Sequence, residues 1–276
     1  MNNNCIEPEI FPNFDMRAHE FFKEMGFVVL NLDIDISILK KAREMILNFA
    51  YIEEESGDSC FYENRNYEEG NVHSPMKKLQ RIWNILNKDK LFHHFPLSEV
   101  HKDGLNKIFY RETNHNLYTI SSYQANILYP GAPQQKIHLD TPVPEPLPIW
   151  PIKVTTVNLL DDFTEDNGAT LVAPKSHKFL KKPKPGSKDE ETLKSVIAPF
   201  GSSIMMHGGL WHASGSNQTK SKRIAVLGSY AASYAREIAY EENHIQVRNN
   251  SIQFENDLAE MLGYNCKPKL GSCKFN

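Results

Sequence analysis

The chain has 276 residues, 40% hydrophobic and 11% aromatic, and its 31 lysines and arginines nearly balance 34 aspartates and glutamates for a net charge of −3. At roughly 150 residues per domain, that length suits one large domain or two small ones with a sizeable core, and the composition excludes a disordered, collagen-like or coiled-coil chain. No basic field draws it to nucleic acid or an anionic membrane, so a small molecule is the expected partner. The opening MNNNCIEPEIF has neither the basic nor the apolar segment of a secretory signal, and no apolar run approaches the roughly 18 residues of a membrane span. Cys5, Cys60, Cys266 and Cys273 are scattered rather than paired. A cytoplasmic protein with reduced thiols is the expectation.

Ala18, Phe21, Phe22 and Met25 recur at helical spacing between an N-cap at Asp15 and a stop at Gly26. GFVVLNL then reads as a strand, and Ile38, Leu39, Ala42, Met45, Ile46 and Phe49 predict an amphipathic helix over 36–50. Residues 51–75 are acidic and turn-rich, a solvated excursion. Leu79, Ile82, Trp83 and Leu86 share a helical face, which predicts a third helix over 76–86. From about Leu117 the texture changes: LYTISSYQANIL, KVTTVNLL, ATLVA, SSIMM and RIAVLGSYA are short runs rich in β-branched and aromatic residues, separated by turn formers. Strands without long helices between them are antiparallel, so this region is a sandwich, barrel or jelly roll. PVPEPLPIWP (142–151) and KKPKPGSKDEE (181–191) read as loops. After Tyr230 the pattern turns polar and helical, ending in DLAEMLGY.

The chemistry starts at His138-Leu139-Asp140. Residues two apart on a strand share a face, so an imidazole and a carboxylate can converge on one metal ion. The pattern alone is cheap, because eleven histidines and 34 acids in 276 residues give about 1.4 such matches by chance, and the chain has two. The other, His101-Lys102-Asp103, lies in a polar stretch without strand character and reads as a solvated loop. A third ligand must come from a distant segment to complete a two-histidine, one-carboxylate face. The segment 205–215, MMHGGLWHASG, offers His207 and His212, and spacing does not choose between them.

Several separate motifs together resemble the phytanoyl-CoA dioxygenase family. They are Gln135-x-x-His138-x-Asp140, then Asp161-Asp162-Phe163-Thr164-Glu165-Asp166-Asn167-Gly168-Ala169-Thr170 running into Val172-Ala173-Pro174-Lys175-Ser176-His177, then His207-Gly-Gly-Leu-Trp-His212 and Arg223. The likeness is densest over 118–231 and strongest to the ectoine-hydroxylase-related and natural-product tailoring branch. It implies a mainly β fold with flanking helices: a double-stranded β-helix (jelly roll, cupin-like) core over about 116–232, a helical part over about 1–115 and a helical extension over 233–276, all in one oxygenase domain. It also implies an iron(II)- and 2-oxoglutarate-dependent dioxygenase that uses O2 to hydroxylate or otherwise oxidise a C–H bond, releasing succinate and CO2. By resemblance the iron ligands are His138, Asp140 and His212, the last chosen over His207 because it stands eleven residues before Arg223. Arg223 would bind the far carboxylate of 2-oxoglutarate with Ser214 beside it, and by similarity Gln135 and Thr170 would contact the cosubstrate. Gln124 and Asn126 share a face of the preceding strand, which makes them either further candidates for that pocket or an ordinary polar strand face. A guanidinium fork suits that carboxylate because it binds bidentately and keeps its charge. Thr141 and Trp150, on the 142–151 loop and its approach, are the candidates for the substrate mouth. Lys175 stands where glycine commonly follows the proline, which alters a turn but no ligand. Asp140 favours hydroxylation over chlorination, since related halogenases replace this carboxylate with a small residue. A zinc hydrolase on the same triad and a non-catalytic cupin-like binding protein are the competing classes.

Overall fold

The computed structural model describes residues 4–61, 78–109, 118–141, 143–235 and 256–262. Helix α1 (Met16–Met25) starts at Asp15, whose carboxylate accepts from the Ala18 amide at 2.9 Å, and stops at Gly26 in the left-handed region. Strand β3 (Phe27–Asn31) follows, then α2 (Ile36–Ser56). The second helix is longer than its predicted span. It takes in Glu53, Glu54 and Glu55, which the charge pattern assigned to a solvated excursion, and it stops only at Gly57. Residues 62–77 lie outside the described part.

Two sheets form the body. The larger has eight strands in the order β2 (Ile10–Phe11), β3, β10 (Ser202–His207), β7 (Lys153–Leu159), β12 (Arg223–Ala232), β6 (Tyr118–Leu128), β5 (Leu79–Trp83) and β4 (Cys60–Phe61). The smaller has β1 (Cys5–Ile6), β9 (Lys194–Val196), β8 (Thr170–Val172) and β11 (His212–Ser214). Alternation on the large sheet sends Val28, Leu30, Met205, Ile224 and Val226 outward, where Ala18, Phe22, Leu39, Ala42 and Ile46 of the first two helices cover them. Phe27, Val29, Val157, Ile204, Met206 and Ala225 point inward and meet Val172 and Val196 of the small sheet. Two sheets, antiparallel except for the parallel edge pairs β1–β9 and β2–β3, close over an apolar interior with helices on the outer face of one, and make the expected double-stranded β-helix. The loops at 143–151 and 181–187 are irregular as read, and 188–192 forms a 3₁₀ turn. At the C-terminal end α5 (Asn256–Met261) buries Leu258 in the helix-side core.

Two expectations fail. The helix predicted over 76–86 is instead β5, followed by the short α3 (Ile85–Lys88); residues 76 and 77 lie outside the described part. β5 pairs antiparallel with β6, Ile82 opposite Ala125 and Trp83 opposite Gln124. The long β6 needs a partner on that side, and its hydrogen-bonding edge overrides a local pattern that fits a helix equally well. Gln80, the polar residue in this apolar set, is fully buried, donating to the Ala50 carbonyl and accepting from the Tyr129 hydroxyl. His101 lies in no solvated loop but in α4 (Glu99–Phe109), fully buried, its ring nitrogens 2.9 Å from the Phe95 carbonyl and 2.8 Å from Ser203 Oγ. That helix looks polar because its inward positions include His101 and Gly104, where an added methyl would press on Phe14 at 3.0 Å and on the end of Met205 at 3.1 Å.

Burial holds His101 at a pKa of about 4 and His207 at about 3, against an ordinary value near 6.5. The unfolded chain therefore takes up these protons first. Their contribution to stability is complete above about pH 6.5 and shrinks as pH falls toward 4. Urea-unfolding midpoints are expected to drop between pH 7 and 5, and His101→Gln to remove part of that slope.

Candidate active site

Inward alternation carries more than the apolar interior. On β12 it presents Arg223, Ala225 and Leu227, on β6 Gln124 and Asn126, on β5 Arg81 and Trp83, and on β7 Lys153, Thr155 and Val157. At this end of the sandwich the interior is polar and opens as a cavity of about 480 Å³.

The segment carrying His138 and Asp140 is not a full strand. It joins the small sheet through a single antiparallel bridge, His138 N–H donating to the His212 carbonyl at 2.9 Å and His212 N–H to that of His138 at 2.8 Å. The pairing sets the two imidazoles with their centres 4.3 Å apart. Asp140 is held by its own amide on the Gly208 carbonyl, 2.9 Å, while the Gly208 amide donates to the Lys153 carbonyl at 2.7 Å. A methyl group at position 208 would stand 2.5 Å from Thr141 Oγ1 and 2.7 Å from the Lys153 carbonyl, so glycine is required for this approach.

The ligand atoms offered by His138, Asp140 and His212 lie within 4.8 Å of one another, and His212 Nε2 is 3.7 Å from Asp140 Oδ1. Each imidazole has its Nδ1 3.0 Å from a backbone carbonyl, His138 on Lys136 and His212 on Leu210. Those carbonyls only accept, so Nδ1 carries the proton and each Nε2 keeps its lone pair for a metal. Thr155 Oγ1 donates to Asp140 Oδ2 at 2.5 Å. Burial, with the neighbouring His212, lowers the His138 pKa to about 4, which leaves it neutral at neutral pH as ligation requires. Burial works against the charge on Asp140, but His212, His138 and Lys153 outweigh it and bring its pKa down to about 2. His207 stands apart from this triad. Its Nδ1 accepts from the Gly209 amide at 2.9 Å and its ring lies beside that of His177.

Arg223 is 4% exposed. Its Nη2 donates to the Gly168 carbonyl at 2.6 Å and to Ser214 Oγ at 2.9 Å, its guanidinium lies 4.5 Å from the Phe163 ring centre, and its Nε is buried without a partner. Burial lowers its pKa to about 10, offset by Asp161, so it remains a cation at neutral pH. Asp161 is itself engaged by Arg43 and by the Ile224 amide. Among the described residues no carboxylate pairs with Arg223 within 4.0 Å. A buried guanidinium that lines a cavity and touches no carboxylate is suited to receive an anion.

Of the other candidates, Gln135, Thr170, Ser214, Gln124 and Asn126 all line the cavity, with Gln135 Oε1 accepting from the Ser214 amide at 3.2 Å. Thr141 and Trp150 do not line it: Thr141 is buried against Gly208, and Trp150 is 43% exposed on its loop. Sequence reading missed Arg81, Trp83, Lys153, Thr155 and Ser229. The first two were hidden by the helix assignment. Alternation along KVTTVNLL was signal enough to set Lys153, Thr155 and Val157 on one face.

A jelly roll whose sheets close on a His-Asp-His triad, with a buried arginine deeper in the same cavity, defines a cupin-like protein built to hold one metal ion and an anion. The chain belongs to the phytanoyl-CoA dioxygenase (PhyH) family, whose profile matches residues 22–225. It is 30% identical over 155 residues to dioxygenase af480 of Aspergillus fumigatus, a match covering 55% of this chain and 47% of that protein. The chain spans about half or less of the length of the first curated relatives it matches. Among solved structures, the non-haem alpha-ketoglutarate-dependent carbocyclase SnoK from nogalamycin biosynthesis shares the fold at a TM-score of 0.62 and 15% identity, over 91% of this chain and 98% of that one. HygX from Streptomyces hygroscopicus, solved with nickel, 2-oxoglutarate and hygromycin B, does so at a TM-score of 0.56 and 14% identity, over 80% and 88%.

Thr155 acts on the metal only through Asp140. Thr155→Val is expected to weaken metal affinity about 10–100-fold, read by calorimetric titration with nickel(II), with the fold retained.

Proposed function

We propose that this protein is an iron(II)- and 2-oxoglutarate-dependent dioxygenase that hydroxylates, or otherwise oxidises, an unactivated C–H bond of a small molecule or biosynthetic intermediate. The observation that carries the reading is Arg223, a buried cation in the cavity that holds the triad, with no carboxylate of the described residues in contact with it. The residues fit the implied group: His138 and His212, each with Nδ1 protonated and Nε2 available, and the Asp140 carboxylate would hold one iron(II) ion as a two-histidine, one-carboxylate set. Iron(II), 2-oxoglutarate and O2 supply, when bound, an oxidant able to break a C–H bond, with succinate and CO2 released.

The chain's own residues bind and orient. Arg223 and Ser214 hold the far carboxylate of the cosubstrate, while Gln135, Thr170, Gln124 and Asn126 present polar atoms along its length. Thr155 fixes the rotation of Asp140, and the Lys136 and Leu210 carbonyls fix the imidazole tautomers. The apolar interior behind them keeps water from the inner end of the cavity. Thr141 supports the metal-side turn through Gly208. A zinc hydrolase has no use for the Arg223 clamp, and a passive binding protein has none for imidazoles fixed in the ligating tautomer. SnoK and HygX support a natural-product-like substrate. The proposed enzyme works in the cytoplasm on a small molecule, without nucleic-acid or membrane partners. No described helix is long and apolar enough to cross a membrane.

Anaerobic addition of iron(II) and then 2-oxoglutarate is expected to produce a visible charge-transfer band. Asp140→Ala should abolish it, and Arg223→Gln should weaken 2-oxoglutarate binding about 10–100-fold. Folded, iron-loaded protein that gives no band would overturn the assignment.

A further inference from the structure

Strand alternation splits the pair Met205-Met206 on β10. Met205 faces the helix side, in the cluster with Phe22, Val28 and Leu30, and the end of its side chain packs against Gly104 of α4. Met206 faces the interior, among Phe27, Val157 and Ile204, and lines the cavity that holds the triad. Two identical side chains, adjacent in sequence, therefore stand on opposite faces of one sheet.

Register sets Met206 beside the metal end of the cavity. It pairs with Thr155, whose hydroxyl donates to Asp140 Oδ2 at 2.5 Å, and residues so paired stand about 5 Å apart at their α-carbons. Two residues beyond Met206, the Gly208 carbonyl accepts from the Asp140 amide at 2.9 Å. Trp83 is the other easily oxidised side chain that lines the cavity, and it stands on β5, three strands from β7, about 14 Å at the spacing of a sheet. A thioether is oxidised to its sulfoxide far more easily than an alkyl C–H bond is broken. Met206 thus combines the most oxidisable group type in the cavity with a place next to the triad.

We propose that Met206 is a self-oxidation site: when no primary substrate is bound, its sulfur takes the oxygen atom that the loaded centre would otherwise deliver, and the resulting sulfoxide loosens the core next to the triad. This rests on the iron(II) and 2-oxoglutarate reading. The step balances with no further reactant. 2-Oxoglutarate, O2 and the Met206 thioether give succinate, CO2 and the sulfoxide. One atom of O2 enters the new carboxylate of succinate and the other forms the S–O bond. O2 accepts two electrons from the 2-oxo acid as its C1–C2 bond breaks and two from sulfur, and no proton is gained or lost. The product sets a polar group against Phe27, Val157 and Ile204, which costs free energy beside the strand that carries Thr155. Such an enzyme limits its own futile turnover when substrate is scarce.

The test uses the full chain loaded with iron(II) and 2-oxoglutarate, exposed to air with catalase and no other substrate, then digested and mapped by mass spectrometry. Two methionines are internal references. Met205 is buried but faces away from the cavity, and Met16, 79% exposed, is the first target of any oxidant that diffuses through solvent. A gain of about 16 Da, one oxygen atom, is expected at Met206, at least about tenfold above Met205 and Met16. Nickel(II) in place of iron(II), omission of 2-oxoglutarate, and Asp140→Ala should each abolish it. The oxidised protein should melt at a lower temperature than its anaerobic control, and Met206→Leu, close in volume, should remove both the mass gain and the drop in melting temperature. The proposal is overturned if Met206 stays intact in protein that shows the charge-transfer band, if Met16 or Trp83 carries the oxygen instead, or if the sulfoxide forms without lowering the melting temperature. Failure of the parent reading shows separately, as absence of that band in the wild type.

Discussion

The cavity depends on two backbone hydrogen bonds, those exchanged between His138 and His212. They make a segment with almost no strand of its own an extension of the small sheet and place its histidine beside that of β11. Two side chains 74 positions apart in the chain thereby acquire a fixed separation without relying on their own rotamers. The Gly208 carbonyl does the same for Asp140, and the Gly208 amide fastens that turn to the first residue of β7. The ligand geometry is thus written in main-chain bonds, the least adjustable part of a folded protein.

Around this frame the sandwich interior is graded. Where both sheets are apolar they fill the space between them, with Phe27, Val29, Ile204 and Met206 against Val172 and Val196. Where the inward positions turn polar the sheets cannot close without burying unpaired groups, and the cavity is what results. One alternation rule therefore builds both core and site. Arg223 is the clearest case: as residue one of a strand whose third position, Ala225, belongs to the interior cluster, it must point inward whatever the cost of burying its charge. The Gly168 carbonyl, Ser214 and the Phe163 ring meet part of that cost. Gly168 itself sits at positive φ with its α-carbon against Leu128 and Gly215, where no side chain fits.

Much of the fold was legible in the residues, because its signals are local. Asp15 and Gly26 bracket the first helix by capping chemistry, GFVVLNL and the run of β-branched segments announce strands, and the proline-rich 142–151 stretch is barred from being one. The His-x-Asp pair was visible as a possibility, and the resemblance of several ordered motifs distinguished it from chance. Less legible were elements whose identity depends on a distant partner. Leu79–Trp83 carries a pattern that suits a helix, and only the open edge of β6 makes it a strand. Glu99–Phe109 looks polar because a histidine and a glycine fill its inward positions, which a hydrophobicity count does not register.

The sequence by itself determined which side chains are available and which neighbours share a face: helices in front, an antiparallel β body behind, a histidine and a carboxylate two apart, a histidine and an arginine eleven apart. These follow from periodicity and from short-range order along the chain. Resemblance selected His212 over His207, but the tertiary structure alone set it beside His138, left Arg223 touching no carboxylate among the described residues, and brought Arg81, Trp83, Lys153 and Ser229 to one cavity. Those facts depend on strand register across residues far apart in sequence, and register is set by the closing of the sheets over a common core, a balance of packing and hydrogen bonding that no local window contains.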